Sequence, residues 1–154
     1  MSRHRKPQLF IIALLFLSLN ACSSGSAEQQ ASQVDVIRVI DGDTVVISGD
    51  ERVRLIGIDT PENGQCGFDE AKQALEKLLA SGSATFYSGT TSDKDKYDRL
   101  LRYIEVEGID VGLNLILNGF AIARYDSRDG YGPHDRESDY IDADENSAPA
   151  IKCD

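Results

Sequence analysis

Three short runs of β-branched residues, each bounded by turn signals, set the fold class of this chain. Valine and isoleucine dominate residues 34–40, 44–47 and 53–58. Such residues favour strands, because their branched side chains are stiff in a helix and pack well on a pleated sheet. Between the second and third runs stands Gly49-Asp50, and glycine supplies the positive φ that a two-residue hairpin needs. The pattern predicts a meander of three strands.

The remainder of the domain combines helical and strand patterns. Residues 69–79 carry apolar side chains at helical spacing, acids in the first turn and Gly82 just beyond the end, which predicts one amphipathic helix. Further predicted elements are strands at 84–87 and 100–106 and short helices at 111–118 and within 134–146. Five strands, with a helix between the third and fourth and about three short helices in all, predict an α+β, mostly β domain. This order fits a small OB-like barrel, although periodicity alone does not single that fold out.

The first 33 residues are predicted to lie outside this domain. Three cations precede an apolar run from Leu9 to Leu19, which is too short to span a membrane and is typical of a signal peptide. The run ends in Leu19-Asn20-Ala21-Cys22, which resembles a bacterial lipobox. We therefore expect residues 1–21 to be removed and Cys22 to be acylated, so that the protein is anchored to a membrane outside the cytoplasm. The alternative is an ordinary signal peptide followed by a chance cysteine.

Residues 22–33 are polar and without periodicity, so they cannot bury enough surface to order themselves, and we predict a flexible tether. The remaining segment, 34–154, has the length of a single domain. We expect a monomer.

The two cysteines inside the domain are predicted to pair. If Cys22 carries lipid, Cys66 and Cys153 remain, and in an oxidising compartment a disulfide is the economical interpretation. Such a bridge would close nearly the whole domain and, in the chain-entropy model, would stabilise it by roughly 4 kcal/mol. The alternative is a zinc or Cys-His site, which would need both cysteines, a carboxylate and His134, the one histidine of the mature chain.

The charge of the chain restricts how it could bind a polyanion. Its formal net charge is −10, and without the three cations of the leader the mature chain holds 13 basic and 26 acidic residues, a net charge of −13. Affinity for phosphate backbones rests mainly on Lys and Arg. An acidic protein with such a partner must concentrate its few cations at the site or use a metal ion.

Carboxylates end two of the predicted strands. The first group is Asp41-Gly42-Asp43-Thr44, which taken alone is typical of a plain turn. The second is Asp59-Thr60-Pro61-Glu62, which follows a strand that otherwise looks buried. Two neighbouring strand ends that present carboxylates would form a cluster of hard oxygen ligands suited to Ca²⁺.

Three sequence blocks then point to a family. They are Asp41-Gly42-Asp43-Thr44, the run from Arg54 to Glu62 (Arg-Leu-Ile-Gly-Ile-Asp-Thr-Pro-Glu), and Asp95-Lys96-Tyr97-Asp98-Arg99 before a strand. Together, and in this order, they resemble the staphylococcal nuclease family over roughly residues 34–126. The resemblance implies a calcium-dependent nuclease that hydrolyses phosphodiester bonds of DNA and RNA with low sequence specificity and leaves a 3′-phosphate.

The resemblance also implies a role for each matching residue. Asp43 and Asp59 match calcium-binding carboxylates, Thr60 matches a backbone-carbonyl ligand, and Asp41 matches a nearby acid that does not itself bind the ion. Glu62 matches the carboxylate that activates or orients the attacking water, and Arg54 and Arg99 match the guanidinium groups that hold the scissile phosphate. Lys96, Tyr97 and Tyr125 fall where the family contacts the terminal phosphate and packs on the nucleotide.

Singly, several of these residues have simpler interpretations. Arg54 could be the exposed residue of an alternating strand, Arg99 a surface partner of Asp95, and Tyr125 a core residue. The chain also departs from the family pattern, with Asp98 in a turn that more often holds glycine, and with an acidic final helix. No tryptophan closes the chain, and a Cys66–Cys153 bridge would replace that anchoring.

Two other classes of function compete with a nuclease. One is a catalytically silent OB-fold module that binds nucleic acid, but such a module has no need of Arg54, Glu62 and Arg99 together. The other is a calcium-binding surface lipoprotein, which suits the acidic composition but leaves both arginines unexplained.

Overall fold

The structure is a computed structural model that describes residues 31–89, 92–150 and Cys153. Within these residues the chain forms nine strands, three α-helices and one 3₁₀ turn, which together make an α+β fold. The strands are β1 (Ala31–Gln33), β2 (Val36–Val39), β3 (Thr44–Ile47), β4 (Glu51–Leu55), β5 (Ile58–Asp59), β6 (Ala84–Tyr87), β7 (Leu100–Val106), β8 (Ile109–Asp110) and β9 (Ile122–Ala123). The helices are α1 (Phe68–Leu79), α2 (Val111–Leu117) and α3 (Glu137–Asn146), with a short 3₁₀ turn at Ser127–Asp129.

Seven of the strands form one mixed sheet in the order β1-β6-β7-β4-β3-β2, with β8 paired to β7. All of its pairings are antiparallel except that between β4 and β7. The α+β class and the OB-like arrangement are confirmed, although among the described residues hydrogen bonds do not close the sheet into a barrel. The five predicted strands correspond to β2, β3, β4, β6 and β7. The other four strands are two or three residues long, too short to show a periodic pattern.

The N-terminal boundary of the ordered domain differs from the prediction. Residues 31–33, predicted to belong to the tether, form β1, which pairs with β6 from Ala31↔Tyr87 to Gln33↔Thr85. The three side chains are exposed, so composition gave no sign of a strand. The pairing uses backbone groups at the otherwise open edge of β6, and such pairing does not depend on apolar side chains.

The hairpin between β3 and β4 also differs in its length. The loop has three residues rather than two, because Ile47 pairs with Glu51. Gly49 and Asp50 both have positive φ, at 89° and 62°. The glycine therefore stands where the turn needs it, as its sequence position indicated.

All three helices are confirmed, and their ends follow from local chemistry. α1 has Asp69 and Glu70 in its first turn, where carboxylates favour the helix dipole. α2 is capped by Asp110, whose side chain accepts a hydrogen bond from Leu113 N. α3 is acidic and has few apolar residues, yet it buries Tyr140 and Ala143. Packing against the neighbouring helix therefore stabilises α3 more than its own amphipathicity does.

The interior of the sheet holds the main hydrophobic core, to which β3, β4, β6, β7 and α2 contribute most of the buried side chains. One polar pair lies within it. The hydroxyl of Tyr103 is 2.8 Å from Nδ1 of His134, and both side chains are buried. Burial lowers the pKa of His134, because the charged imidazolium would lose its hydration.

Cys66 and Cys153 form a disulfide, with Cα atoms 5.9 Å apart and a sequence separation of 87. The bridge joins the loop after β5 to the C-terminal end of the chain. With both cysteines paired, and His134 against Tyr103, the zinc alternative loses its ligands. The predicted signal peptide, the lipobox and Cys22 lie outside the described residues. In the part of the chain that is described, no helix has the length and apolar character needed to cross a membrane.

Candidate active site

Asp43 is the most buried acid of the region and stands at the start of β3. Its side chain is 6% exposed, and its backbone carbonyl accepts a hydrogen bond from Leu55 N at 2.9 Å. Oδ1 accepts from Thr44 Oγ1 at 3.1 Å. Oδ2 accepts from Thr60 N at 3.1 Å and Thr60 Oγ1 at 2.9 Å. The carboxylate is therefore held between the end of β4 and the residue after β5.

Arg54 joins two carboxylates that are distant in sequence. Its Nε lies 3.1 Å from Asp43 Oδ1, and its Nη2 lies 3.4 Å from Asp59 Oδ1. A third donor, Nη1, reaches the carbonyl of Leu55 at 2.7 Å. The side chain is 9% exposed, so the interpretation of Arg54 as an exposed residue of an alternating strand is wrong. The pairing of Thr44 with Arg54 across β3 and β4 places the guanidinium beside Asp43.

Burial is the main influence on the charge of Asp43. Desolvation raises its pKa to about 6, while Arg54 and the hydrogen bonds from Thr60 and Thr44 act in the opposite direction. A carboxylate in such a position gains from any further positive charge placed next to it. Asp41 adds negative charge nearby and accepts a hydrogen bond from Asp43 N at 3.1 Å.

Asp59 and Tyr125 meet because β5 pairs with β9. Asp59 pairs with Ile122, and Arg124 N donates to the carbonyl of Gly57 at 3.0 Å. The hydroxyl of Tyr125 then donates to Asp59 Oδ1 at 3.3 Å, and its ring lies 5.4 Å from the guanidinium carbon of Arg54. Tyr125 is 41% exposed, so it is part of the site surface and not of the core.

A second cluster lies on the loop before β7. Arg99 Nε donates to Asp95 Oδ2 at 2.7 Å, so the predicted surface pairing of these two residues is present. Lys96 Nζ and the Arg99 guanidinium lie 5.0 and 5.4 Å from the ring centroid of Tyr97. Although burial opposes it, hydrogen bonds from Arg99 and Tyr97 hold the pKa of Asp95 below its usual value.

Asp98 adopts the conformation that glycine would favour. Its φ is 62°, which lies in the left-handed region where Asp is better tolerated than most residues. Its carboxylate pairs with Lys94 Nζ at 3.0 Å. The departure from the family pattern at this turn is therefore accommodated in the backbone, and the added negative charge is partly offset by Lys94.

The structure brings together some predicted residues and leaves others apart. Asp43, Arg54, Asp59, Thr60 and Tyr125 form one connected group. Glu62 lies close in sequence but is exposed, and its backbone N–H donates to Gln65 Oε1 at 2.7 Å. Among the described contacts, the carboxylate of Glu62 does not touch the group around Arg54, and neither does Arg99.

Two glycines allow the close packing of this group, and one of them was not singled out from the sequence. A Cβ on Gly42 would lie 2.8 Å from Ala71 Cβ and 2.9 Å from Thr60 Cβ. Gly57, between Arg54 and Asp59, has φ of +76°, and a Cβ there would lie 2.5 Å from the ring of His134. Within the described structure the Nε2 atom of His134 is buried without a hydrogen-bond partner. The turn between Arg54 and Asp59 therefore rests directly on His134.

The residues that could hold a metal ion offer only oxygen atoms. They are the carboxylates of Asp43 and Asp59 and the backbone carbonyl of Thr60, which suit Ca²⁺ better than a softer metal. A cavity of about 430 Å³ opens beside Asp59 and Thr60 toward Phe120 and Cys153, and neither Asp43 nor Arg54 lines it. Over the described residues, no group of three or more His, Cys, Asp or Glu side chains is arranged to bind a metal by itself. The donor set fits a calcium ion that shares its coordination with substrate and water.

Comparison with known proteins agrees with this geometry. Residues 52–151 match the family model described as staphylococcal nuclease homologue. The chain belongs to the staphylococcal nuclease family. Membership makes it a phosphodiester hydrolase of the endonuclease class. The matched range begins after Asp41 and Asp43, whose place in the site rests on their contacts with Arg54, Thr60 and each other.

Several curated proteins are similar over most of the chain. A thermonuclease of Staphylococcus intermedius is 31% identical over 137 residues, which cover 82% of this chain and 79% of that protein. An uncharacterized endonuclease of Haemophilus influenzae is 27% identical over 94% of this chain and 75% of its own length. Endonuclease YncB of Bacillus subtilis is 33% identical over 81% of this chain and 62% of its own length.

The contact between Gly57 and His134 is testable with a matched pair of substitutions. Gly49→Ala and Gly57→Ala both force alanine into a left-handed conformation, at about 1–2 kcal/mol. Only Gly57→Ala also drives a Cβ into a packed ring, because nothing lies within 4 Å of a Cβ on Gly49; overpacking adds about 1–3 kcal/mol. We expect the larger loss of unfolding free energy for Gly57→Ala in urea titrations. Equal losses would show that the turn does not rest on His134.

Proposed function

We propose that this chain is a calcium-dependent nuclease that hydrolyses phosphodiester bonds of DNA and RNA with low sequence specificity. The observation that carries the proposal is the pair of contacts from one buried guanidinium, that of Arg54, to Asp43 and Asp59. Two carboxylates around one arginine, beside the partly exposed ring of Tyr125, leave negative charge for a divalent cation to balance.

Calcium would be held by Asp43, Asp59 and the backbone carbonyl of Thr60, with Asp41 nearby. When bound, the ion would supply Lewis-acid chemistry, which withdraws charge from a phosphate oxygen. The protein prepares this place by burying Asp43 and holding both of its oxygens with hydrogen bonds from Thr44 and Thr60.

Arg54 and Arg99 would stabilise charge on the scissile phosphate. A guanidinium has five N–H donors, and Arg54 uses Nε, one donor of Nη1 and one of Nη2 in its three contacts. One N–H therefore remains on each terminal nitrogen, a spacing suited to two phosphate oxygens. Arg99 is bound to Asp95 through Nε, which orients its terminal nitrogens while leaving them available.

Glu62 would act as the general base or orient the attacking water. Its exposed carboxylate lies on the loop that starts at Thr60 and ends at the disulfide residue Cys66. Among the described residues its carboxylate does not contact Arg54, and catalytic contacts often tighten only in the complex with substrate. The loop that carries Glu62 is short and is fixed at both ends, which restricts how far Glu62 can move.

Lys96, Tyr97 and Tyr125 would bind the nucleotide around the reacting phosphate. All three side chains are exposed, and the two tyrosines flank the arginines from different loops. Contacts of this kind recognise phosphate, sugar and ring faces and not base edges, so they select little for sequence. The acidic surface of the mature chain should slow association with nucleic acid at low salt.

We propose further that the nuclease works outside the cytoplasm, anchored through lipid on Cys22 after removal of residues 1–21, and as a monomer. The support is the leader pattern, the polar segment 22–33 and the pairing of the two remaining cysteines. Segment 22–30 would serve as the tether, since β1 begins at Ala31.

Cleavage assays test the proposed catalysis. The soluble domain from Ser23 onward is incubated with denatured DNA or RNA in Ca²⁺, Mg²⁺ or chelator. We expect cleavage in Ca²⁺ and none in chelator, with a loss of about 10²–10⁴-fold in Glu62→Gln and about 10²–10³-fold in Arg99→Ala. Glu76→Gln, an exposed change on α1, is the matched control and should keep full activity. Binding without cleavage in the unchanged domain would indicate a silent nucleic-acid-binding module.

Peptide mapping of the protein extracted from membranes tests its processing. We expect an acylated N-terminal Cys22 and one peptide pair joined through Cys66 and Cys153, because the lipobox takes the first cysteine and an oxidising compartment pairs the others. The control is Cys22→Ser, which should abolish membrane association and keep the disulfide. A mature N-terminus elsewhere, or free thiols at Cys66 and Cys153, would contradict the respective part of the proposal.

A further inference from the structure

Two arginines in the described part of this acidic protein have no carboxylate partner. Of the eight arginines among the described residues, six form salt bridges with Asp or Glu, including Arg54 and Arg99. Within the same residues Arg38 and Arg52 form none, and both are exposed. In a mature chain with a net charge of −13, carboxylates are abundant. These two guanidinium groups, which have no carboxylate partner, are therefore available to bind another anion.

Arg38 and Arg52 lie on the same face of the sheet. Arg38 on β2 pairs with Val46 on β3, and Val46 pairs with Arg52 on β4. Directly opposed residues project from the same side of a sheet. Arg54 follows Arg52 by two residues and so shares this side.

The row formed by Arg38 and Arg52 extends to the proposed site. β4 and β7 are parallel, with Val53 beside Leu100, so Arg99 lies next to the position of Arg52. A row of cations thus crosses the sheet from Arg38 through Arg52 to Arg99. Neighbouring strands are about 4.8 Å apart, so Arg38 and Arg52 stand roughly 10 Å apart on either side of Val46.

This face is the outer side of the sheet, away from the core. Val46 is 1% exposed, yet it does not belong to the main core cluster, which contains Val45, Ile47 and Val53 from the opposite face. Val46 must therefore be covered from the outside, and the long apolar stems of its two arginine neighbours are suited to that. Their charged ends then remain at the surface.

Two further features give this face the character of a nucleic-acid groove. Arg52 Nη2 donates to the carbonyl of Tyr97 at 3.0 Å, which fixes the loop that presents the Tyr97 ring, and that ring is 58% exposed. At the Arg38 end of the row, the register between β2 and β3 shifts between Val36 and Arg38. Ile37 at this bulge is 63% exposed, so it adds an apolar surface beside Arg38.

We propose that the outer face of β2, β3 and β4 binds the backbone of single-stranded nucleic acid beyond the scissile phosphate, with Arg38 and Arg52 as phosphate contacts. The strand would run from Tyr97 across Arg52 to Arg38 and Ile37. Single strands are bound by a cationic path combined with exposed apolar and aromatic side chains on which bases stack. The path also explains how a strongly acidic chain can hold a polyanion, since its unpaired arginines are placed on one face. That the bound strand is also the substrate rests on the proposed nuclease function.

Salt dependence of binding tests this path. Fluorescent oligothymidylates, a dinucleotide and a dodecanucleotide, are titrated with the mature domain carrying Glu62→Gln, in Ca²⁺ and over a range of salt. For single strands each phosphate contact contributes about 0.7 to the slope of log K against log salt. We expect Arg38→Gln and Arg52→Gln each to lower the slope for the dodecanucleotide by about that amount. The dinucleotide, which is too short to reach both arginines, should lose less.

The matched control is Lys77→Gln, which removes one positive charge from the last turn of α1 and should leave both slopes unchanged. Slopes in the arginine variants equal to that of Lys77→Gln would overturn the proposal. So would an equal loss on both oligonucleotides, because Arg52 would then act only by holding the Tyr97 loop. Tighter, arginine-dependent binding of a duplex would refute the preference for single strands.

The salt titration, combined with the cleavage assay of the unchanged domain, separates this proposal from the proposed catalysis. Arginine-dependent slopes in a protein whose unchanged form cleaves nothing would support the path and contradict the nuclease. Calcium-dependent cleavage combined with unchanged slopes would support the nuclease and contradict the path.

Discussion

The ion pair between Arg54 and Asp43 is the interaction on which the geometry of the site depends. Both side chains are less than a tenth exposed, and burying two charges carries a desolvation cost that their attraction offsets only when the remaining polar atoms are also bonded. Here they are, through Thr44, Thr60 and the carbonyl of Leu55. Because these partners come from β3, β4 and the residue after β5, satisfying one buried charge fixes three segments relative to each other.

The distribution of cations explains how a chain with an acidic composition can act on nucleic acid. The formal net charge of −10 opposes long-range attraction to nucleic acid, and several arginines are neutralised locally, as Arg136 is by Glu105 and Asp110. Among the described residues, Arg38 and Arg52 on the outer face of the sheet and Lys96 beside Tyr97 form no ion pair with a carboxylate, and neither do Lys72 and Lys77 on α1. Binding would then rely on short-range contacts and on calcium, and not on the overall field of the protein.

The parts of the site within a short stretch of chain were predictable from sequence, whereas those created by tertiary pairing were not. The β-branched runs and the carboxylates at their ends indicated β3, β4 and the group of Asp43, Arg54 and Asp59. By contrast, β5 and β9 are only two residues long each. Strands this short show no periodic pattern, so the sequence did not predict the pairing that brings Tyr125 to Asp59. The contact of Gly57 with His134 was also missed, although Gly57 between an arginine and an aspartate was a visible signal of a special backbone conformation.

Calcium binding at equilibrium tests the central claim most directly, because it needs no substrate. Titration calorimetry of the soluble domain should show one Ca²⁺ per chain. Binding should be lost in Asp59→Asn, which removes a charge from the partly exposed carboxylate, and kept in Glu62→Gln, which lies outside the proposed ligand set. Absence of binding in the unchanged domain, or equal affinity in Asp59→Asn, would contradict a calcium site built around Arg54 and its two carboxylates.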